Sequence, residues 1–109
     1  MGAWSVVLSP RAESEVRALP SDMQARFLRV AELLETFGPQ HVGRPHVRPL
    51  ENKLWEMRLS GQSGIARAIY FAASGQRVVV VRAFVKKSQK TPQREIAIAR
   101  QRMQEWQSG

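Results

Sequence analysis

The spacing of apolar residues changes twice along the chain and divides it into strands and helices. Residues 78–85 form a nearly continuous β-branched and aromatic run, which is typical of a central strand covered on at least one face. Two more apolar runs, at 53–59 and 65–73, are separated by connections rich in Gly and Ser at 60–64 and 74–76. These three runs predict an antiparallel meander.

Helical spacing appears on both sides of the meander. A short apolar strand at 4–8 is followed by Ser9-Pro10, an N-cap residue and an N1 proline that predict a helix over 11–19. A second helix ends at Gly38-Pro39. Its apolar positions are Met23, Phe27, Val30, Ala31 and Leu34. A third helix runs from Pro92 to about Gln107, and its apolar stripe is Ile96, Ala99, Met103 and Trp106.

Together these elements predict one α+β domain over residues 1–109. The two N-terminal helices form a hairpin that covers one face of the antiparallel sheet, and the C-terminal helix lies beside the sheet. Residues 40–52 are predicted to be an extended loop because three prolines are spaced along residues 39–49.

Period-two alternation places the arginines of the meander on one face of the sheet. In ordinary register Arg58, Arg67 and Arg82 gather there, together with Phe84. Glu56 is the one carboxylate of the meander near them, so the sequence predicts an open cationic face for RNA phosphates and unstacked bases. An aromatic residue in a strand nevertheless packs more often than it stacks on bases. The apolar residues predicted on the opposite face, under the hairpin, are Trp55, Met57, Leu59, Ala68, Tyr70, Val79 and Val81.

Positive charge is concentrated in the second part of the chain. Residues 1–43 carry four arginines against five carboxylates, whereas residues 44–109 carry nine arginines and four lysines against four glutamates. The net charge of +8 indicates a nucleic-acid or acidic protein partner, because a surface that only confers solubility mixes the two signs more evenly.

The densest positive charge follows the last strand. Lys86, Lys87 and Lys90 lie within five residues, and Thr91-Pro92 offers an N-cap hydroxyl and an N1 proline to the last helix. Ammonium groups and a helix N-terminus therefore converge at the end of one strand, which favours phosphate binding.

Several other kinds of site are excluded or made improbable by composition. The absence of cysteine excludes disulfides and thiolate metal sites, and two histidines make a zinc site improbable, so we expect no metal and no cofactor. His46 is a candidate RNA contact, although a loop histidine is more often merely exposed. No apolar run is long enough to span a membrane, and the N-terminal segment lacks the features of a secretory signal, so a cytoplasmic location is expected.

Three segments resemble motifs of the phage-derived HigB-like branch of the RelE/ParE toxin superfamily. They are Leu54-Trp55-Glu56-Met57-Arg58, Ala66-Arg67-Ala68-Ile69-Tyr70-Phe71 and Phe84-Val85-Lys86-Lys87-Ser88-Gln89-Lys90-Thr91-Pro92. The last is the specific one, and the order of elements is similar over essentially the whole chain. Two departures stand out: Arg82-Ala83 replaces a His-Gly or His-Ala pair found in many members, and Ser88 replaces a threonine.

The resemblance implies the toxin of a type II toxin–antitoxin pair, which cleaves mRNA on the translating ribosome without a metal. Its partner would be a helix-turn-helix antitoxin, which alone contacts operator DNA. The catalytic candidates are Arg67, Arg82, Lys86 and Lys87; the RNA-binding candidates are His46, Arg58, Phe84, Lys90 and Arg94.

A neutral Lys86 or Lys87 is the candidate base, and arginine forks suit the phosphate oxygens. Truncation of Arg67 or of the lysine pair is expected to leave the fold intact. A ParE-like inhibitor of DNA gyrase and a non-catalytic nucleic-acid-binding module remain alternatives.

Overall fold

Within the described residues, the domain has five strands, three α-helices and a one-turn 3-10 helix at Pro39–His41. The computed structural model describes residues 3–109, so the first two residues of the N-terminal segment discussed above lie outside it. The strands are β1 (Ser5–Leu8), β2 (Val47–Pro49), β3 (Trp55–Gly61), β4 (Gly64–Ala73) and β5 (Arg77–Val85). The helices are α1 (Pro10–Arg17), α2 (Ser21–Phe37) and α3 (Gln93–Ser108).

The strands form one sheet in the order β1-β5-β4-β3-β2. β3, β4 and β5 are the predicted antiparallel meander, and β1 joins it by pairing in parallel with β5. The predicted α+β architecture, with a helix hairpin on one face and a C-terminal helix, is confirmed.

Part of the segment predicted as a loop is a strand. Residues Val47–Pro49 pair antiparallel with β3, and this pairing sets Arg48 opposite Glu56. Proline is tolerated here because β2 is an edge strand, where a missing N–H need not interrupt a ladder. The added strand brings Arg48 to the edge of the sheet next to a buried carboxylate.

Both faces of the sheet are covered by helices. On one face α1 and α2 pack over Met57, Leu59, Ala66, Ala68, Tyr70, Val78 and Val80. On the other face α3 packs its residues Ile96, Ala99 and Met103 over Leu54, Ile69, Phe71, Val79 and Val81. The expectation that the second face is open along its length is therefore wrong, because α3 shields most of its apolar part and leaves the arginines toward one end.

A β-bulge in β5 changes the face of several valines. Ile69 pairs with Arg82 and the next residue, Tyr70, pairs with Val80, so Val81 is an extra residue in the ladder. The prediction that Val79 and Val81 lie under the helix hairpin is wrong for this reason, since strict alternation fails across a bulge. Both valines instead pack under α3.

The two predicted helix caps have different outcomes. The Ser9 hydroxyl accepts a hydrogen bond from the Ala12 N–H at 3.3 Å, as the sequence predicts. At α3 the N-cap is Pro92 and no side chain caps the helix, so the prediction for Thr91 is wrong. The Thr91 hydroxyl is instead bonded to Glu56 in the interior.

Candidate nucleic-acid site

A cluster of cations lies where β4 begins and β5 ends. Arg58 and Arg67 are directly opposite one another on β3 and β4, and Arg67 is opposite Phe84 on β5. The backbone N–H of Lys86 continues the ladder by donating to the Ile65 carbonyl at 2.8 Å. This register confirms that Arg58, Arg67 and Arg82 share one face. We call the group Arg44, Arg48, Arg58, Arg67 and Lys86 the cationic site.

A cavity of about 200 Å³ opens beside this cluster. Its lining residues are Arg44, Pro45, Val47, Arg48, Glu56, Arg58 and Arg67. Four guanidinium groups and one carboxylate therefore surround a space open to solvent. Such a space suits an anion with several oxygen atoms, because planar guanidinium forks match phosphate geometry.

Arg67 lies beneath this cavity rather than on an open surface. It is 4% exposed and donates hydrogen bonds to Glu56, to the Thr91 hydroxyl at 3.2 Å and to the Gln89 carbonyl at 3.2 Å. The expectation that Arg67 contributes little to packing is wrong, because the segment before α3 folds over it. The hydrogen bonds of the buried Arg67 thus hold the lysine segment 86–90 against the sheet.

Glu56 is a buried carboxylate at the centre of these hydrogen bonds. It is 1% exposed and accepts hydrogen bonds from Arg67, from Arg48 Nε at 2.7 Å and from the Thr91 hydroxyl at 2.6 Å. The three partners come from β4, from β2 and from the segment that precedes α3. Glu56 therefore ties the edge of the sheet to the segment that carries the lysines.

Lys86 has an altered protonation equilibrium. Partial burial of its ammonium group lowers the pKa of Lys86 below the ordinary lysine value, and the positive charges of Arg67, Arg58 and Arg48 lower it further. A larger fraction of this side chain is consequently a neutral amine near neutral pH than for an ordinary lysine. Its neighbours in the motif, Lys87 and Lys90, are exposed.

Arg82 lies on the same face but belongs to a separate ion cluster. Its Nε donates to Glu95 at 2.6 Å and its Nη1 donates to Glu15. The Nη1 of Arg102 also donates to Glu15, at 2.9 Å. The hydrogen bond to Glu95 and the charge of Glu15 raise the pKa of Arg82.

This cluster corrects the expectation that Glu56 alone could pair with the sheet arginines. Glu15 comes from α1 and Glu95 from α3, which strand alternation within the meander cannot reveal. Arg82 therefore joins β5 to two helices, and much of its guanidinium fork is already occupied by carboxylates.

Acid should weaken this cluster when it protonates Glu15. Burial alone would raise the pKa of Glu15, but hydrogen bonds from Arg102 and the Ala83 N–H and the charge of Arg82 outweigh it and lower the pKa below the ordinary 4.5. The unfolded chain then binds the proton more tightly, so the stabilisation is complete above that value and is lost as pH falls through the folded pKa.

We expect Glu15→Gln to be less stable than the native protein at neutral pH and to lose less stability on acidification. Urea unfolding at several pH values measures this, and parallel acid profiles would contradict it.

The predicted RNA contacts differ in their exposure. Arg58, Lys90 and Arg94 are exposed, and Phe84 is half-buried against the apolar cluster under α3. His46 is half-buried just before β2, and its carbonyl accepts the Arg58 N–H at 2.8 Å. Each of these positions stays a prediction as an RNA contact.

Two members of the cationic site were not predicted from sequence. Arg44 and Arg48 belong to the segment interpreted as an extended loop, and their convergence depends on the pairing of β2 with β3. The signal that could have indicated Arg48 is its place in Val47-Arg48-Pro49, a short alternation between an apolar and a charged residue.

Within residues 3–109, no three histidine or acidic side chains come together in a way that could hold a metal ion. No helix in the same residues is long and apolar enough to cross a membrane.

The fold is similar to that of chains in solved toxin–antitoxin complexes. Among the similar solved structures, a chain of the toxin–antitoxin complex RelBE2 from Mycobacterium tuberculosis is 18% identical, with a TM-score of 0.57 over 77% of this chain and 99% of that one. A chain of the archaeal RelE–RelB complex from Pyrococcus horikoshii OT3 is 21% identical, with a TM-score of 0.57 over 76% of this chain and 94% of that one. The resemblance to the RelE/ParE superfamily is therefore confirmed in the fold.

The family follows from the sequence itself. Residues 14–104 match the family described as "Phage derived protein Gp49-like (DUF891)", so the chain belongs to the phage-derived Gp49-like family. A search of curated protein sequences finds no match. The narrower assignment to the HigB-like branch stays a prediction.

Proposed function

We propose that this protein is the toxin of a toxin–antitoxin pair and acts in the cytoplasm as a ribosome-dependent, metal-independent mRNA endonuclease. The observation that carries the proposal is the position of Lys86. This lysine has a lowered pKa and lies close to the exposed Arg58 and the buried Arg67, two residues that line the cavity beside the cationic site. A potential base and the cations that a phosphate needs thus occur together in one place.

The chemistry requires three groups at one phosphodiester. Neutral Lys86 accepts the proton of a ribose 2′-hydroxyl, whose oxygen attacks the adjacent phosphorus and forms a cyclic phosphate. Arg48 and Arg58 stabilise the additional negative charge of the pentavalent phosphate. The 5′ oxygen leaves with a proton from an ammonium group, for which Lys87 is the candidate. Arg67 and Glu56 hold the lysine segment in place and need not touch the RNA.

The proposed partners follow from charge and from the relatives. Both similar structures are described as complexes with an antitoxin or with RelB. A protein with acidic side chains at its contact surface would neutralise a chain of net charge +8 and exclude RNA from the cationic site. We propose a helix-turn-helix antitoxin for this role, with the ribosome and mRNA as targets and operator DNA contacted only through the antitoxin.

Expression of the native chain without its antitoxin tests the proposal. We expect growth arrest with loss of protein synthesis and newly cut mRNA. Pulse labelling measures protein synthesis, and mapping of mRNA ends detects the cuts. Co-expression of the neighbouring open reading frame should restore growth if that frame encodes the antitoxin. DNA damage with intact mRNA would contradict the nuclease in favour of a gyrase inhibitor. Salt-sensitive binding of nucleic acid without growth arrest would indicate a non-catalytic nucleic-acid-binding module instead.

A further inference from the structure

A second and larger cavity adjoins the cationic site across β2. It measures about 380 Å³, within the range of small-molecule pockets, and its principal lining residues are Trp4, Arg44, Val47, Pro49, Trp55 and Tyr70. We call it the aromatic pocket. Trp55 and Tyr70 are opposite each other on β3 and β4. Trp55 remains 36% exposed, so part of its indole ring is available to a ligand.

One residue that lines the pocket, Tyr70, has a polar group without a partner in the described part of the chain. Tyr70 is 1% exposed, and among residues 3–109 its hydroxyl has no hydrogen-bond partner. Burial raises the pKa of this hydroxyl, so it stays a protonated donor at physiological pH. A buried hydroxyl that donates to nothing is costly, and a ligand with an acceptor atom would remove that cost.

The two cavities are continuous in their lining. Arg44 and Val47 border both of them, so Arg44 lies where the aromatic pocket meets the cationic site. A ligand that spans the two needs a negatively charged backbone at one end and a flat, largely apolar body with polar edges at the other. A single strand of RNA with one base turned out of its stack has this chemistry.

We propose that the aromatic pocket binds one unpaired nucleobase of the RNA strand whose phosphate occupies the cationic site. The base lies against Trp55, and an acceptor on its edge takes the Tyr70 hydroxyl proton in a hydrogen bond. The proposal deepens the function given above and depends on RNA being the ligand there. The positive charge beside the pocket favours RNA over an apolar protein segment as occupant.

Binding of a short oligoribonucleotide carrying 2′-O-methyl groups throughout tests the proposal, because such a strand cannot be cut. Versions with one abasic nucleotide, placed at each position in turn, are compared by fluorescence anisotropy at about 50 mM salt. With the native protein one abasic position should weaken binding by roughly 5- to 150-fold, the range expected for loss of one stacked base. Trp55→Ala should weaken binding of the intact strand similarly, and the abasic change should then cost nothing more.

Three further variants separate the pocket from general effects. Trp55→Phe keeps an aromatic platform and should restore most of the affinity, and Tyr70→Phe removes only the hydroxyl and should weaken binding about 2- to 13-fold. Trp106→Ala removes a half-buried tryptophan of α3 that borders neither cavity, and should leave the abasic pattern unchanged. Circular dichroism establishes that each variant is folded. If Trp55→Ala does not fold, the comparison of Tyr70→Phe with the abasic series carries the test.

Three results overturn the inference. The first is no binding of the intact strand to the native protein. The second is an abasic penalty that persists in Trp55→Ala and is undiminished in Tyr70→Phe. The third is loss of antitoxin binding in Trp55→Ala with RNA binding unchanged. The last result would make the pocket a protein docking site. Cleavage is measured separately. If mRNA is cut but RNA binding does not depend on Trp55, only the base-binding proposal is wrong. If base binding depends on Trp55 but mRNA stays intact, only the nuclease proposal is wrong.

Discussion

Replacement of Lys86 by alanine is expected to lower the rate of mRNA cleavage by about 10²- to 10⁴-fold, the usual contribution of a positioned general base. The pKa of this lysine is lowered by its own partial burial and by the charges of Arg67, Arg58 and Arg48. Because neutral amine is the reactive form, a cluster that disfavours the ammonium ion makes the side chain a better base near neutral pH. Ribosome-dependent cleavage of a defined mRNA measures the rate.

Lys86→Arg distinguishes a base from a simple cation. A guanidinium stays protonated at any physiological pH, so arginine preserves the charge and abolishes proton transfer. We expect this variant to be as defective as Lys86→Ala. Lys53→Ala is the matched control, because Lys53 is an exposed lysine outside the cationic site and should be dispensable. Full activity of Lys86→Arg would assign Lys86 an electrostatic role only.

The pH dependence of the cleavage rate provides a second test of the role of Lys86. As long as the proposed acid remains an ammonium ion, the rate should rise with pH as the Lys86 ammonium deprotonates and should level off above the pKa of Lys86, which lies below the ordinary value of 10.5. Arg58→Ala removes one repelling charge, so it should move the plateau to higher pH as well as weaken phosphate binding. A rate that falls with rising pH over that range would contradict the assignment.

Periodicity predicted the parts of this fold that depend on neighbours in sequence. The apolar run at 78–85 and the two apolar runs before it are recognisable because Gly-containing turns separate them. Arg58 and Arg67 were placed correctly on one face because β3 and β4 pair without interruption. The lysine segment was recognisable because its charges are close together in the chain.

The sequence could not predict what depends on contacts between distant segments. The partners of Arg82 are Glu15 and Glu95, which come from helices on opposite faces of the sheet. The bulge at Val81 is another such feature, because it exchanges the faces of two valines and no residue in a run of valines marks it. Thr91 was misassigned because a Thr-Pro pair before a helix is typical of a cap, whereas a buried carboxylate competes for the same hydroxyl.

Replacement of Glu56 by alanine is expected to lower the free energy of unfolding by about 3–5 kcal/mol, the cost of leaving a buried ionic partner uncompensated. The partner concerned is Arg67, which is 4% exposed, whereas Arg48 at the sheet edge is partly exposed and can turn to water. Urea unfolding measures the loss. Glu13→Ala is the control, since Glu13 pairs with Arg17 on the exposed side of α1 and should cost under about 0.5 kcal/mol.

The same variant should also lose activity, for a reason that a double substitution can separate from instability. Glu56 holds Thr91, and Arg67 holds the Gln89 carbonyl, so together they fix the segment that carries Lys86. Glu56→Met with Arg67→Met replaces the buried ion pair by apolar groups and should recover much of the lost stability. If the network positions the lysine, this stable double variant stays inactive at neutral pH. A double variant that is both stable and fully active would show that the network serves folding alone.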